Sequence, residues 1–517
     1  MKKLLLASSI LAFACNSSQQ AVTDKTTATM AKDPSPIANT ITEEELKNHL
    51  YTYASDEFEG RETGKPGQKK AIAYLVSQYK EMGIPPLKED GDYLQKVPLA
   101  VSKLPTGSIV VNQKEFEIGE DFITFDKAVL NRDNLVYVGY GIDTKSYSDY
   151  AGLDVKDKIV LVKFGEPKNS ENNYILSGNT EKSEWSNMSE SMGLRLEAAI
   201  NNGAAGILYY DSANYVRFKQ YYNYMKTNNS GKMELKAAKN DNFIILLNTN
   251  LAKSILPNIE TIAEPQILET KIDLRIKSGD EAVDSENIAA IIKGKSKPNE
   301  YLILSSHLDH IGVSANGDIN NGADDDGSGT VALLELAQAF KTAADKGEGP
   351  ERSIIFLHVT GEEKGLLGSK YYTDHEPLVP LENTVANLNI DMIGRIDPKR
   401  TGDRNYIYLI GSDKLSTELH DLSEATNKKY TQIELDYTYN DENDPNRFYY
   451  RSDHYNFAKN NIPIIFYFNG THADYHRPSD TPDKINYDLL KNRTQLVFYT
   501  AWEIANRTNR LVVDKIE

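Results

Sequence analysis

Five short stretches in the second half of this 517-residue chain carry histidines and carboxylates in patterns suited to metal chemistry. They are HLDH (307–310), GADDDGSG (322–329), GEE (361–363), DM (391–392) and YHRPSDT (475–481). Imidazole and carboxylate together are what zinc binds where no thiolate is available. Alone, each stretch has a plainer reading. HLDH reads as a capped turn, the aspartate run as a solvated loop or helix N-cap, GEE as a surface loop, and a single histidine as a satisfied polar residue. Their placement argues otherwise. HLDH follows YLILSS, GEE follows SIIFLHVT, DMIGR follows ANLNI, and THADYHRPSDT follows PIIFYFNG. Apolar runs of this length read as buried strands, so nearly every strand end here delivers a carboxylate or an imidazole.

The elements that must position these groups follow from the same rhythm. NIAAIIKG and YIYLIG are further strands, and GTVALLELAQAFKTA (329–343) is a helix with Val331, Leu334, Leu336, Ala337 and Phe340 apolar. Strands alternating with helices predict an α/β fold, a three-layer αβα domain around a mixed, mostly parallel sheet. In such sheets ligands bind outside the carboxyl ends of the strands. Upstream, Thr42 and Glu45 form a capping-box signature for a helix reaching about residue 53, and a second helix is expected over 68–83. Between 106 and 274 the chain turns to short β-rich runs (SIVVN, NLVYVGYGI, KIVLVKFG, AAGILYY, NFIILLN), with one helix expected at 191–201. This block reads as an insertion. The domain plan is a signal peptide over 1–15, a flexible tether over 16–40, a main domain of 41–105 and 275–517, and the insert at 106–274.

With these motifs in this order, the chain resembles the two-zinc aminopeptidases of metallopeptidase family 28. That group also includes glutamate carboxypeptidase-like enzymes and the transferrin-receptor ectodomain. The resemblance covers 41–105 and 275–517. It implies a zinc-peptidase fold, two zinc ions per chain and a peptide substrate with a free N-terminus. By position it implies His307 and Asp391 as ligands of one zinc, Glu363 and His476 as ligands of the other, and Asp325 as the bridging carboxylate. It makes Asp309 the carboxylate that orients His307, Glu362 the general base, and Tyr475 a group that stabilises the oxyanion. It also implies a cis bond between Asp325 and Asp326. VYVGYGI, DYAGLDVKDKIVLV and NNGAAGILYY give the insert the look of a protease-associated domain. The chemistry is coherent: two close dications need a shared carboxylate, and neighbouring residues such as Glu362 and Glu363 point in different directions at a strand end, so one can ligate while the other meets water.

Other residues stay open. Arg395, Arg447 and Arg451 are candidates for a substrate carboxylate, against the plainer reading of solvated surface. Asp453, in the SDH stretch 452–454, is either a helix cap or part of a substrate pocket. The acidic stretch 436–445 lacks the spacing of a known calcium loop. Competing functions on the same framework are a one-zinc glutaminyl cyclase, a carboxypeptidase and a non-catalytic receptor. No nucleophile-elbow motif supports a serine hydrolase.

Composition sets the limits. A formal net charge of −17 disfavours nucleic-acid binding. Lys2 and Lys3 precede an apolar run from Leu4 to Ala14 that is too short to span a bilayer, as in a secretory signal peptide. Cys15, the chain's single cysteine, ends that run and resembles a lipobox cysteine. The expectation is an exported protein held by an N-terminal lipid anchor in the bacterial cell envelope, periplasmic or surface-facing, with no internal disulfide. Oligomeric state has no signal in the sequence.

Overall fold

The computed structural model describes residues 33–187, 190–228, 231–236 and 242–515. The signal segment, Cys15 and the first part of the expected tether lie outside the described residues.

Nine strands form the largest sheet: β1 (Leu94–Ser102), β2 (Lys232–Leu235), β3 (Glu281–Ile292), β4 (Lys297–His307), β5 (Arg352–Val359), β6 (Thr384–Ile390), β7 (Tyr406–Ile410), β8 (Glu434–Asp436) and β9 (Ile464–Phe468). Their spatial order is β8-β7-β9-β6-β4-β5-β3-β1-β2. The centre, β9-β6-β4-β5, is parallel. β3, β1 and β2 continue it antiparallel on one side. On the other side β7 runs antiparallel to β9 and parallel to β8. The carboxyl ends of the four central strands therefore open on one edge. β5 and β6 are buried at every residue, the pattern of strands covered on both faces.

Helices supply that cover: α1 (Ser35–Ala38), α2 (Glu43–Tyr53), α3 (Pro66–Glu81), α4 (Gly329–Asp345), α5 (Leu367–Asp374), α6 (Thr417–Tyr430), α7 (His454–Ala458) and α8 (Tyr487–Asn506). Alternate strand residues go to opposite layers, as the period of two requires. Leu302, Leu304, Ile354 and Phe356 meet the face formed by α2, α3, α4 and α8. Ile303, Ile355 and Leu357 share a core with Tyr372 of α5 and Phe457 of α7. The result is the three-layer arrangement expected from the alternation of elements.

At α2 the Thr42 Oγ1 accepts from the Glu45 N–H at 3.2 Å and donates to Glu45 Oε2 at 2.8 Å. The tether needs correction at its end. Residues 35–38 are helical, and Ile37 and Ala38 are buried against the core. Apolar Ile37 and Ile41 anchor this turn, and the Ser/Pro-rich composition around them hides that signal.

Between β1 and β3 the chain builds two further sheets. One has six strands drawn from Phe122–Leu268, and the other has four drawn from Ser108–Ile276. They enclose cores of their own. This region holds more helix than its sequence suggests. Besides Ser191–Asn201, helices form at Tyr215–Asn228 and Thr249–Ile255. One strand of the region, β2, leaves it to pair with β1 at the edge of the large sheet.

Candidate metal centre

The site lies where the parallel strands end. β4 ends at His307, β5 leads through Gly361 to Glu362 and Glu363, β6 leads into Asp391, and the loop after β9 carries Tyr475 and His476. Asp325 comes from the turn that starts α4.

His307 is buried, and its Nδ1 lies 3.0 Å from the Asp309 carbonyl oxygen. A carbonyl only accepts, so Nδ1 carries the hydrogen and Nε2 is left to face the site. There Nε2 is 3.2 Å from Asp325 Oδ1 and 3.6 Å from Asp391 Oδ1. On the other side of Asp325, His476 Nε2 is 3.0 Å from Asp325 Oδ2 and 3.2 Å from Glu363 Oε2. The expected ligands thus converge, with Asp325 between the two groups. Ligand atoms of His307, Asp325 and Asp391 lie within 4.8 Å of one another, as do those of His310, Asp325 and Glu363. His310 Nε2 is a buried atom without a hydrogen-bond partner, and His307 Nε2 and Asp325 Oδ2 are buried against other donors of the cluster. Lone pairs gathered this closely need protons or cations among them. The donor set of imidazole and carboxylate fits zinc.

The triple aspartate divides its labour by direction. Only Asp325 faces the cavity. Asp326 accepts from the backbone N–H groups of His307 (3.1 Å), Gly329 (2.9 Å) and Met392 (3.1 Å), tying three ligand-bearing segments together. Asp324 accepts from Gly394 N–H at 2.7 Å and lies 3.1 Å from His472 Nε2. Asp480 Oδ2 accepts from the backbone N–H of Asp324 at 2.9 Å and of Asp325 at 3.3 Å. The Asp325–Asp326 bond is cis, as the resemblance implied. Gly322 has φ +54, and a Cβ there would sit 2.3 Å from the Asp325 carbonyl, so the turn requires glycine.

Asp309 is placed differently from expectation. Its carbonyl, not its carboxylate, holds His307, since the carboxylate oxygen is 4.0 Å from Nδ1. The carboxylate accepts from Thr63 Oγ1 at 2.6 Å and from the Glu362 N–H at 3.2 Å. Asp391 Oδ2 accepts from Ser452 Oγ at 2.6 Å. Tyr475 stacks on His476, with ring centroids 3.9 Å apart.

A cleft opens beside this cluster, and its lining includes Asp325, Glu362, Asp391, Tyr475 and Arg451. Two expected substrate contacts are elsewhere. Arg395 is half-buried and pairs with Asp474 (2.8 Å) and Asp480 (3.7 Å), bracing the loop that carries His476. Asp453 is buried and accepts from Ser369 Oγ. It makes no cap hydrogen bond and does not line the cleft.

The electrostatics reflect crowding. Burial pushes the Glu362 carboxyl well above its usual range, with Glu363, Asp391 and Asp453 adding to it and His307 opposing. Burial and the Asp325 charge oppose ionisation of Glu363, but hydrogen bonds with His310 and His476 hold it down to about 2. Burial alone would lower His476, yet its bonds to Asp325 and Glu363 raise it to about 10.

His310 has no role in the sequence reading, although HLDH contains it. It is fully buried, with Nδ1 2.8 Å from Glu363 Oε1. A ligating carboxylate held by such a partner is oriented and tuned by it. His310→Ala is expected to weaken binding of the metal at Glu363 by about 10–100-fold. Zinc titration against a competing chelator would show this, and an unchanged affinity would remove His310 from the site. Asp480 was visible only as part of a motif, and nothing local in the sequence separates its role from that of its neighbours.

A profile of peptidase family M28 matches residues 287–501, which contain every strand end described above. These residues are a peptidase family M28 domain. Among curated proteins the chain is similar to aminopeptidase YwaD of Bacillus subtilis, with 27% identity over 233 residues covering 44% of this chain and 46% of the relative. It is also similar to leupeptin-inactivating enzyme 1 of Streptomyces exfoliatus, with 30% identity over 240 residues covering 41% and 47%. The alignments thus span about half the length of these relatives. Among solved structures it resembles an aminopeptidase from Aneurinibacillus sp. strain AM-1, with TM-score 0.45 and 20% identity over 94% of this chain and 99% of the other. A zinc aminopeptidase from Bacillus subtilis gives TM-score 0.45 and 17% identity over 90% and 96%. The M28 domain spans the motifs from HLDH to YHRPSDT, so the candidate site lies within it.

Proposed function

We propose that the protein is a zinc-dependent aminopeptidase that hydrolyses the first peptide bond of substrates with a free N-terminus. One observation carries this reading: the Asp325 carboxylate lies between two imidazole–carboxylate groups, with Glu362 on the adjoining cleft. His307 and Asp391 would hold one zinc, Glu363 and His476 the other, and Asp325 both. When bound, such a pair lowers the pKa of water and polarises a carbonyl. Glu362 takes the proton from the attacking water and returns it to the leaving amine. Its backbone is held by Asp309, which also fixes His307 through its carbonyl, so base and ligand share one support. Tyr475 lines the cleft and supplies a hydroxyl for the developing oxyanion.

The test is a panel of aminoacyl and dipeptidyl chromogenic substrates, with and without chelator, alongside elemental analysis. The expected result is chelator-sensitive release of single N-terminal residues and about two zinc per chain. One zinc with cyclisation of N-terminal glutamine would favour a glutaminyl cyclase. Release of C-terminal residues from peptides with blocked amino termini and free carboxyl termini would favour a carboxypeptidase.

We also propose that the insert is a protease-associated domain and that Cys15 carries a lipid anchoring the enzyme to the cell envelope. Support comes from the signal-like run before Cys15 and from the separate cores of the insert. Cys15→Ser is expected to move the protein to the soluble fraction or block its processing. An unchanged membrane fraction would refute the anchor.

A further inference from the structure

Most arginines around the M28 site are occupied. Arg395 pairs with Asp474 and Asp480, Arg400 with Asp436, and Arg404 with Asp488. Arg493 is buried and donates to the carbonyls of Ile393, Arg395 and Tyr406. Arg451 differs. It lines the cleft and is exposed, and among the described residues no carboxylate pairs with it. Its guanidinium carbon lies 5.1 Å from the centroid of the Phe448 ring, and its backbone N–H donates to the Phe448 carbonyl at 3.0 Å. Phe448 is itself a wall of the cleft, together with Met392, Phe466 and Phe468. The cation is therefore laid against an aromatic face on the apolar wall of a pocket whose other side carries the carboxylates. A guanidinium held this way loses little freedom when it binds and presents a planar fork of donors that matches a carboxylate.

The charges lining the rest of the cleft are Asp325, Glu362 and Asp391, of which two are proposed ligands and one is the base. Among the described residues, Arg451 is the only lysine or arginine that lines the cleft. An uncharged side chain would fill the apolar walls and leave the guanidinium to water. An ammonium would meet a like charge. A carboxylate would form a charge-assisted, two-pronged contact.

We infer that Arg451 forms a carboxylate-binding subsite, so that the enzyme favours substrates carrying a carboxylate one residue from the scissile bond. This rests on the aminopeptidase reading and narrows it. The carboxylate has two sources: the side chain of an N-terminal glutamate or aspartate, or the C-terminus of a dipeptide.

The experiment compares glutamyl-, leucyl- and lysyl-p-nitroanilide, and Leu-Gly with Leu-Gly amide, for the full enzyme and its Arg451→Gln and Arg451→Lys variants. Binding of free L-glutamate and L-leucine is measured by calorimetry in parallel. Arg451→Gln is expected to lower the glutamyl-to-lysyl or the dipeptide-to-amide ratio of kcat/KM by about 10–100-fold, chiefly through KM, with Arg451→Lys intermediate. The ratio that moves identifies the source. An equal loss of kcat on all substrates would overturn the inference by placing Arg451 on the scissile group. Ratios unmoved by either variant would also overturn it. If no free-amine substrate is cleaved yet glutamate binds in an Arg451-dependent way, the subsite stands and the aminopeptidase reading falls.

Discussion

Replacing Glu362 by Gln is expected to lower kcat by about 10²–10⁴-fold while leaving the metal content of the protein unchanged. The substitution keeps the shape of the side chain and removes only its ability to take a proton. The structure separates the two adjacent glutamates by contact. Glu363 meets His310 at 2.8 Å and His476 at 3.2 Å, whereas Glu362 lines the cleft. The Glu362 backbone is pinned by Asp309, so neutralising its side chain does not release the ligand His307. Burial and neighbouring carboxylates push the Glu362 carboxyl up, so its proton affinity exceeds that of an exposed glutamate. A base with raised affinity is the stronger acceptor of a proton from water, provided nearby cations keep it ionised at working pH. Steady-state kinetics with elemental analysis of the same sample checks both halves. Activity near wild type would mean that the base is another group. Loss of zinc would mean that Glu362 ligates and Glu363 is the base.

Much of this site was legible because ligand-bearing residues follow apolar runs. Once YLILSS, SIIFLHVT, ANLNI and PIIFYF are read as parallel strands, their ends must meet, and His307, Glu363, Asp391 and His476 come together. Direction was harder. The sequence could not say which aspartate of the run faces the cavity, and the family resemblance supplied Asp325. The structure adds the cause, since Asp324 and Asp326 are spent on backbone N–H groups of neighbouring segments. His310 leaves little trace in the sequence, because a histidine three residues after another suggests no shared site until Glu363 is placed beside it. The partners of Arg395 are set by loop geometry, which its sequence neighbourhood does not show: Asp474 and Asp480 are distant from it along the chain. Helices in the insert were missed for a local reason. Tyr215–Asn228 buries only Tyr215 and Tyr222, and its stripe of Tyr215, Phe218, Tyr222 and Met225 is masked by the exposed Val216, Tyr221 and Tyr224 on the other face. The C-terminal α8 has the opposite problem, since 13 of its 20 residues are buried and little polar face remains to reveal the period.

Asp325→Ala should have the widest consequences, because this carboxylate is shared by both metal groups. Its loss is expected to exceed the ~10–100-fold drop in metal affinity that follows removal of an outer partner, and to abolish measurable hydrolysis. The metal-free protein offers a second readout. There His476 is raised to about 10, because Asp325 and Glu363 favour its protonated form over the cost of burial. A folded value above the unfolded one stabilises the apoprotein fully below the unfolded pKa near ~6.5, and that contribution is lost as pH rises through the folded value. Zinc needs the neutral imidazole, so metal uptake should release protons and tighten as pH rises across the same window. Asp325→Ala takes away one of the two carboxylates that hold the His476 proton. The variant should therefore show a smaller difference in apoprotein stability between about pH 6 and about pH 9 than the wild type does. Thermal melts of metal-free protein at the two pH values, with calorimetry in buffers of different ionisation enthalpy, would read both effects. If Asp325→Ala still binds two zinc ions, the bridge is carried by another group. If it loses zinc while its apoprotein keeps the wild-type pH dependence, Asp325 ligates the metal but does not hold the His476 proton, and Glu363 alone must account for the raised pKa.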